Sequence, residues 1–153
     1  MIGVCQRNYC DKAKEPYVQG QNPLPGIREY FFYVDHNGML FQDDSRMKHW
    51  TAALKEKQLL FNFFKRLRFN ETNRYKEFQF ISLCGKERNF VRCLDRPFVF
   101  TAALQNAERE WMLQYNHAGD LLQQKLQPEK ILMVPETGRV YHPGKESLEE
   151  IEE

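Results

Sequence analysis

Four cysteines and four histidines carry the widest chemical range in this chain, and their spacing limits what they can do. Cys5 and Cys10, with four residues between them, have a tolerable zinc-knuckle spacing that Cys84 and Cys93 could complete as a four-thiolate site. A turn at Gly85-Lys86, however, pairs Cys84 near Asn89 and leaves Cys93 several residues down the partner strand. The thiols are therefore expected to be reduced and structural, with no metal. Cysteine catalysis would set Cys84 or Cys93 beside His117 or His142, with a third group orienting the base. No nucleophile elbow accompanies them, and the eight glycines are scattered singly, so no phosphate-cradling loop occurs. Asp43-Asp44 are neighbours whose side chains would diverge on a strand, which suits a helix cap better than an acid–base pair. Asp35, Asn37, Gly38 and Asp44 fall at calcium-loop positions, but Tyr33 would occupy the first position and both flanks read as strands. The expectation is no cofactor and no catalytic residue, with an unclassified cysteine-dependent enzyme as an alternative.

The other chemistry is cationic. Residues 65–96 hold nine basic and four acidic groups, whereas 144–153 hold one and five, so a basic middle is followed by an acidic end. On a strand Arg88, Phe90, Arg92, Leu94 and Arg96 share one face, and Asn89, Val91, Cys93 and Asp95 the other. Guanidinium forks at Arg88, Arg92 and Arg96 would hold phosphates, and Phe90 would stack a base. RNA or nucleotide binding through 88–96 is thus a second alternative. Against it, the same arginines can pair with Glu77, Glu87 or Asp95, and that pairing is favoured. Aligned from Lys86, only Lys86, Phe90 and Val91 match the RNA-recognition signature.

The elements that must position these groups follow from periodicity. A chain of 153 residues with 42% apolar content fits one domain. Residues 1–26, punctuated by Gly20, Pro23, Pro25 and Gly26, read as an irregular arm, dispensable for folding. Ile27 to Val34, a turn at Asp35-His36-Asn37-Gly38, and Met39 to Gln42 read as a hairpin. Met47, Trp50 and Leu54, then Leu60, Phe63, Phe64 and Leu67, place one helix, or a short element and a helix interrupted near Lys55–Lys57, between Arg46 and Arg68, capped by Asp43-Asp44-Ser45. Glu77 to Cys84, Asn89 to Leu94 and Phe98 to Ala102 read as a three-strand meander. Trp111 to Tyr115, Ile131 to Val134 and Arg139 to His142 are further strands, and Leu121 to Leu126 a helical turn. The expected fold is α+β: an antiparallel sheet of hairpins and a meander packed by one main helix. Its domain spans 27–143, followed by an acidic, mobile tail over 144–153.

The stretch Cys84-Gly85-Lys86-Glu87-Arg88-Asn89-Phe90-Val91-Arg92-Cys93-Leu94-Asp95-Arg96-Pro97-Phe98-Val99-Phe100, with Arg28 to Asp44 upstream, resembles a family of small eukaryotic proteins defined by a domain of unknown function. Its human member is known only as an open reading frame on chromosome eight. The resemblance runs from about Tyr17 to Pro143 and implies mitochondrial residence, but no reaction or ligand. Residues 1–23 lack the Arg- and Ser-rich character of a transit peptide, which leaves the cytoplasm as the alternative compartment. The resemblance also implies strand-like sequence past Pro143, where this chain turns acidic. That predicts an open strand edge at Arg139 to His142 and weak self-association through it.

No apolar stretch reaches the ~20 residues a bilayer crossing needs. Tyr30 and Phe32 share one face of the first long strand, Phe31 and Tyr33 the other. A strand apolar on both faces is either central or covered by a partner. The leading expectation is therefore a non-catalytic binding or assembly module with a protein partner.

Overall fold

The structure, a computed structural model, describes residues 15–144. Its strands are β1 (Gln21–Leu24), β2 (Ile27–Val34), β3 (Leu40–Gln42), β4 (Leu67–Phe69), β5 (Phe80–Cys84), β6 (Glu87–Cys93), β7 (Phe100–Gln105), β8 (Trp111–Tyr115), β9 (Gln123–Lys125), β10 (Leu132–Val134) and β11 (Arg139–Tyr141). One α-helix among the described residues, α1 (Lys57–Lys65), follows a 3-10 turn at Trp50–Ala52. The α+β class matches the expectation. No helix among the described residues is long and apolar enough to cross a membrane.

The main sheet runs β1-β2-β6-β5-β4, with β3 pairing the remaining part of β2. The expected hairpin is β2–β3, in register Val34 with Leu40. Asp35 Oδ1 accepts from the N–H groups of Asn37 and Met39, so the carboxylate at the calcium-loop position is consumed by its own turn. Two expectations are corrected. The pairing of β2 with β6 is parallel, along the whole run from Arg28 with Glu87 to Val34 with Cys93. The expected meander also breaks after β6, because β7 leaves this sheet to pair with β8, which pairs in turn with β9. The segment expected to be a helical turn at 121–126 splits into a 3-10 turn at Gly119–Leu121 and the strand β9.

β2 is the central strand that its two apolar faces required, and the protein itself covers both. Leu60, Phe63 and Phe64, spaced three and four apart on α1, bury against Val34, Phe80 and Val91 on one face. The helix cap differs from the expected Asp43-Asp44-Ser45: Glu56 accepts from the N–H groups of Gln58 and Leu59. On the opposite face Phe31, Tyr75, Phe78, Ile81 and Phe90 form a second core. Asn70 organises the loop covering it. Its side-chain amide donates to the carbonyls of Arg74 and Phe78.

Within the segment expected as an irregular arm, Gln21–Leu24 form the strand β1. Pro25-Gly26 turns β1 into β2, with Gly26 at φ +78° where glycine costs least. Between the ends of β1 and β3 the edge of β2 has a gap at Phe31, which Gln19 fills. Its amide donates to the Phe31 carbonyl at 2.7 Å and accepts from the Phe31 N–H at 2.9 Å, as a paired strand would. Tyr17 stacks on Phe31 with ring centroids 3.9 Å apart. Cys5, Cys10 and the tail from 145 onward lie outside the described residues.

Candidate functional site

The parallel register decides the fate of the basic strand. Glu29, Phe31 and Tyr33 of β2 stand directly opposite Arg88, Phe90 and Arg92 of β6. Phe90 is fully buried between Phe31 and Tyr75, at 5.2 and 5.0 Å between centroids, so it has no free face for a base. Arg92 binds Asp43 and lies 5.0 Å from the Tyr33 ring centroid. Arg88 Nη1 sits 3.8 Å from Glu29. Arg96 has left the strand for an exposed loop, apart from the other two. Arg92 is thus paired with Asp43, and Arg88 has Glu29 as its nearest acid, rather than Glu77, Glu87 or Asp95.

Glu29 is itself 0% exposed. Arg74 reaches it from the covering loop with a guanidinium fork, at 2.7 and 3.2 Å, and Gln21 donates at 2.8 Å. Hydrogen bonding to Glu29 pushes the Arg74 pKa up. Tyr17 donates to Asp43, and burial, then that bond, raises its phenol well above the ordinary value. These two clusters latch the loop at 70–79 and the segment at 15–19 to the sheet. They are closures, with every strong partner internal.

The thiols do not converge. Cys84 pairs with Glu87 at the turn, and Cys93 ends β6 six residues further along, roughly 20 Å away at strand rise. Burial pushes the Cys93 thiol up to about 11, the opposite of what a nucleophile requires. His117 donates through Nε2 to the Asn37 carbonyl at 2.8 Å. His142 accepts from the Gln127 N–H and stands edge-on to Phe100. Neither histidine is hydrogen-bonded to Cys84 or Cys93.

What the structure does assemble is a cleft of about 310 Å³ where the two sheets meet, lined by Met39, Trp50, Leu54, Lys55, Lys57 and His117 among others. Three chain segments are pinned there by Asn116, which is completely buried. Its amide donates to the carbonyls of Gly38 and Pro97, and its oxygen accepts from the Val99 N–H. Asn116 and His117 both take left-handed backbone, at φ +49° and +59°. Two consecutive non-glycine residues there carry strain that the surrounding bonds must hold, a feature concentrated at functional sites. Gly119 follows at φ +62°, and a Cβ on it would stand 3.1 Å from Lys57 Nζ. Lys55 Nζ lies 4.7 Å from the Trp50 ring centroid, and His117 meets that ring edge-on. Among the described residues, none that lines the cleft is a carboxylate. Sequence reasoning misses this site because Trp50 fits a helical pattern and Lys55–Lys57 read only as a break in it. The left-handed pair that turns His117 inward has no sequence signature beyond an Asn-His before a nearby Gly.

A mixed sheet with one helix on its first face, a loop latched over its second, and a cationic cleft at one end defines the class of α+β protein. Within it, the chain belongs to a family described as a domain of unknown function, DUF4505, whose model matches residues 19–152. A solved structure of a DUF1285 family protein from Silicibacter pomeroyi DSS-3 is similar over 81% of this chain, at 17% identity and a TM-score of 0.42. The chain spans 65% of the length of that solved protein.

Proposed function

We propose that the protein is a binding module that takes an organic anion in the cleft of Trp50, Lys55, Lys57 and His117. One observation carries this: Lys55, Lys57 and His117 line one cleft together with the apolar Leu54 and Ala102, and none of its described lining residues is a carboxylate. Cations that are not spoken for by acids, in a site with apolar walls, favour an incoming negative charge over water. The basic strand supports less, because Arg88 and Arg92 face Glu29 and Asp43. Calorimetric titration of the whole protein with a panel of organic carboxylates and phosphates tests the reading. Binding that disappears in Lys55→Ala/Lys57→Ala, at unchanged melting temperature, supports it. If no member of the panel binds the intact protein, the reading is wrong.

A weaker contact with a second copy is proposed at the β10–β11 hairpin. Among the described residues β11 pairs with β10 alone, and Val140 is 61% exposed. Light scattering from low to high salt tests it, and a monomer throughout excludes it. Mitochondrial residence, proposed on the resemblance of the Cys84 to Phe100 stretch, is tested by fractionation of cells expressing the full-length product.

A further inference from the structure

Resting on that reading, we infer that the anion is a planar aromatic phosphate monoester, with nucleoside monophosphates as the biological class. The charge comes first. Lys55, Lys57 and His117 supply two full positive charges and a ring nitrogen, with no acid among the described lining residues to neutralise them. A carboxylate ligand would answer only one of these charges. A phosphate monoester, with a second pKa of about 6, is largely a dianion at neutral pH and presents three acceptor oxygens. Lysine suits it as a mobile point charge, without the fork geometry that planar carboxylates select.

Lys57 Nζ lies beside Gly119, where a Cβ would stand 3.1 Å from it, and the φ of +62° at 119 is one that glycine adopts at least cost. His117 has Nε2 donating to the Asn37 carbonyl, so in the neutral ring Nδ1 can only accept, and the charge of the anion is met by Lys55 and Lys57.

The aromatic part follows from Trp50. The ring is 56% exposed on a 3-10 turn that buries nothing, and its visible neighbours are the Lys55 ammonium and the edge of His117. With the Lys55 ammonium over one face at 4.7 Å from the centroid, the exposed remainder of the indole offers a stacking surface for a planar ring. Gln114 and Thr101 are polar residues on the same walls. Size argues against a long acyl chain. At about 310 Å³ the cleft is at the small end of ligand pockets, and Ala53, Ala102 and Leu54 give it a short apolar floor.

The test uses the full chain carrying Trp111→Phe, which leaves Trp50 as the one indole. Its fluorescence is titrated with AMP, UMP, adenosine, inorganic phosphate and octanoate. AMP and UMP are expected to quench Trp50 and to bind at least about tenfold more tightly than adenosine or phosphate alone, since the sites for ring and charge act together. Lys57→Ala should remove most of that advantage while melting temperature and circular dichroism stay unchanged. Adenosine binding as well as AMP overturns the phosphate assignment. Octanoate binding without AMP overturns the aromatic phosphate and leaves the organic-anion reading standing. The absence of binding by every probe overturns both.

Discussion

Replacing Glu29 with glutamine separates the two arginines that surround it. The carboxylate is 0% exposed and accepts two bonds from Arg74 and one from Gln21. The amide of Glu29→Gln would keep one acceptor oxygen and turn an N–H₂ group toward donors. One charge-assisted bond is then lost, worth about 1.5–3 kcal/mol, and one buried donor is left unmatched, worth about 1–3 kcal/mol. Arg74 is 37% exposed in its side chain and regains water when released, which offsets part of the loss. The expected cost is about 3 kcal/mol, within the range for breaking a buried pair by removing one partner. Arg88 stands 3.8 Å away, outside hydrogen-bond reach, so Arg88→Met should cost less than about 1 kcal/mol. Urea unfolding of the two single variants, of Arg74→Met and of Glu29→Gln/Arg74→Met measures both costs and the coupling between Glu29 and Arg74. Should Glu29→Gln cost under about 1 kcal/mol at unchanged m-value, the latch is not an energetic element of the fold.

Phe90→Ala removes a fully buried ring from the second core and should cost about 3–5 kcal/mol; a stable variant with altered nucleic-acid binding would restore the stacking role. Cys93 favours its protonated form in the fold, so its contribution is intact below the ordinary thiol value of 9 and is lost as pH rises through about 11. Wild-type stability should therefore fall relative to Cys93→Ala over that window, and parallel pH curves for the two proteins would contradict the burial assigned to the thiol. A chain beginning at Gly26 lacks β1, Tyr17 and Gln19, and should lose several degrees of melting temperature or aggregate through the uncovered edge at Phe31. Unchanged melting would show that this segment only decorates the sheet.

Local signals in the sequence are legible where turn chemistry and periodicity agree. Asn37-Gly38 and Gly85-Lys86 mark the β2–β3 and β5–β6 hairpins, and Leu60, Phe63 and Phe64 mark the buried stripe of α1. The failures are non-local. Nothing in residues 87–93 announces that β6 runs parallel to β2, yet that register alone puts Arg88 opposite Glu29 and Phe90 opposite Phe31. Alternation correctly groups Arg88, Phe90 and Arg92 on one face and cannot say that the loop carrying Tyr75 and Phe78 closes over it. The N-terminal stretch misleads for a different reason. Pro25-Gly26 serves equally as loop punctuation and as a tight hairpin turn, and a side chain such as Gln19 standing in for a strand leaves no periodic trace.

With both faces of the main sheet covered by its own chain, the cleft proposed to bind an anion lies at the junction where the second sheet meets the first. That junction is built from pieces far apart in sequence: Met39 at a hairpin end, Trp50 on a 3-10 turn, Lys57 at the start of α1, and His117 after β8. Loops held by a rigid frame are where binding groups can be set without disturbing the core. Asn116 supplies the rigidity, because its one side chain bonds to Gly38 on one segment and to Pro97 and Val99 on another. Gly38 shows how tight that frame is. At φ +75°, with a Cβ that would meet Val99 Cβ at 2.9 Å, it tolerates no side chain, so the turn cannot drift away from the strand entry at 99–100. The left-handed strain at Asn116 and His117 is thus held in place by the same bonds that join the two sheets. A change at Asn116 should consequently be read in two places at once, as a loss of stability and as a displacement of His117 from the cleft. A substitution at Lys55, exposed and bonded to none of these segments, should be read only in binding.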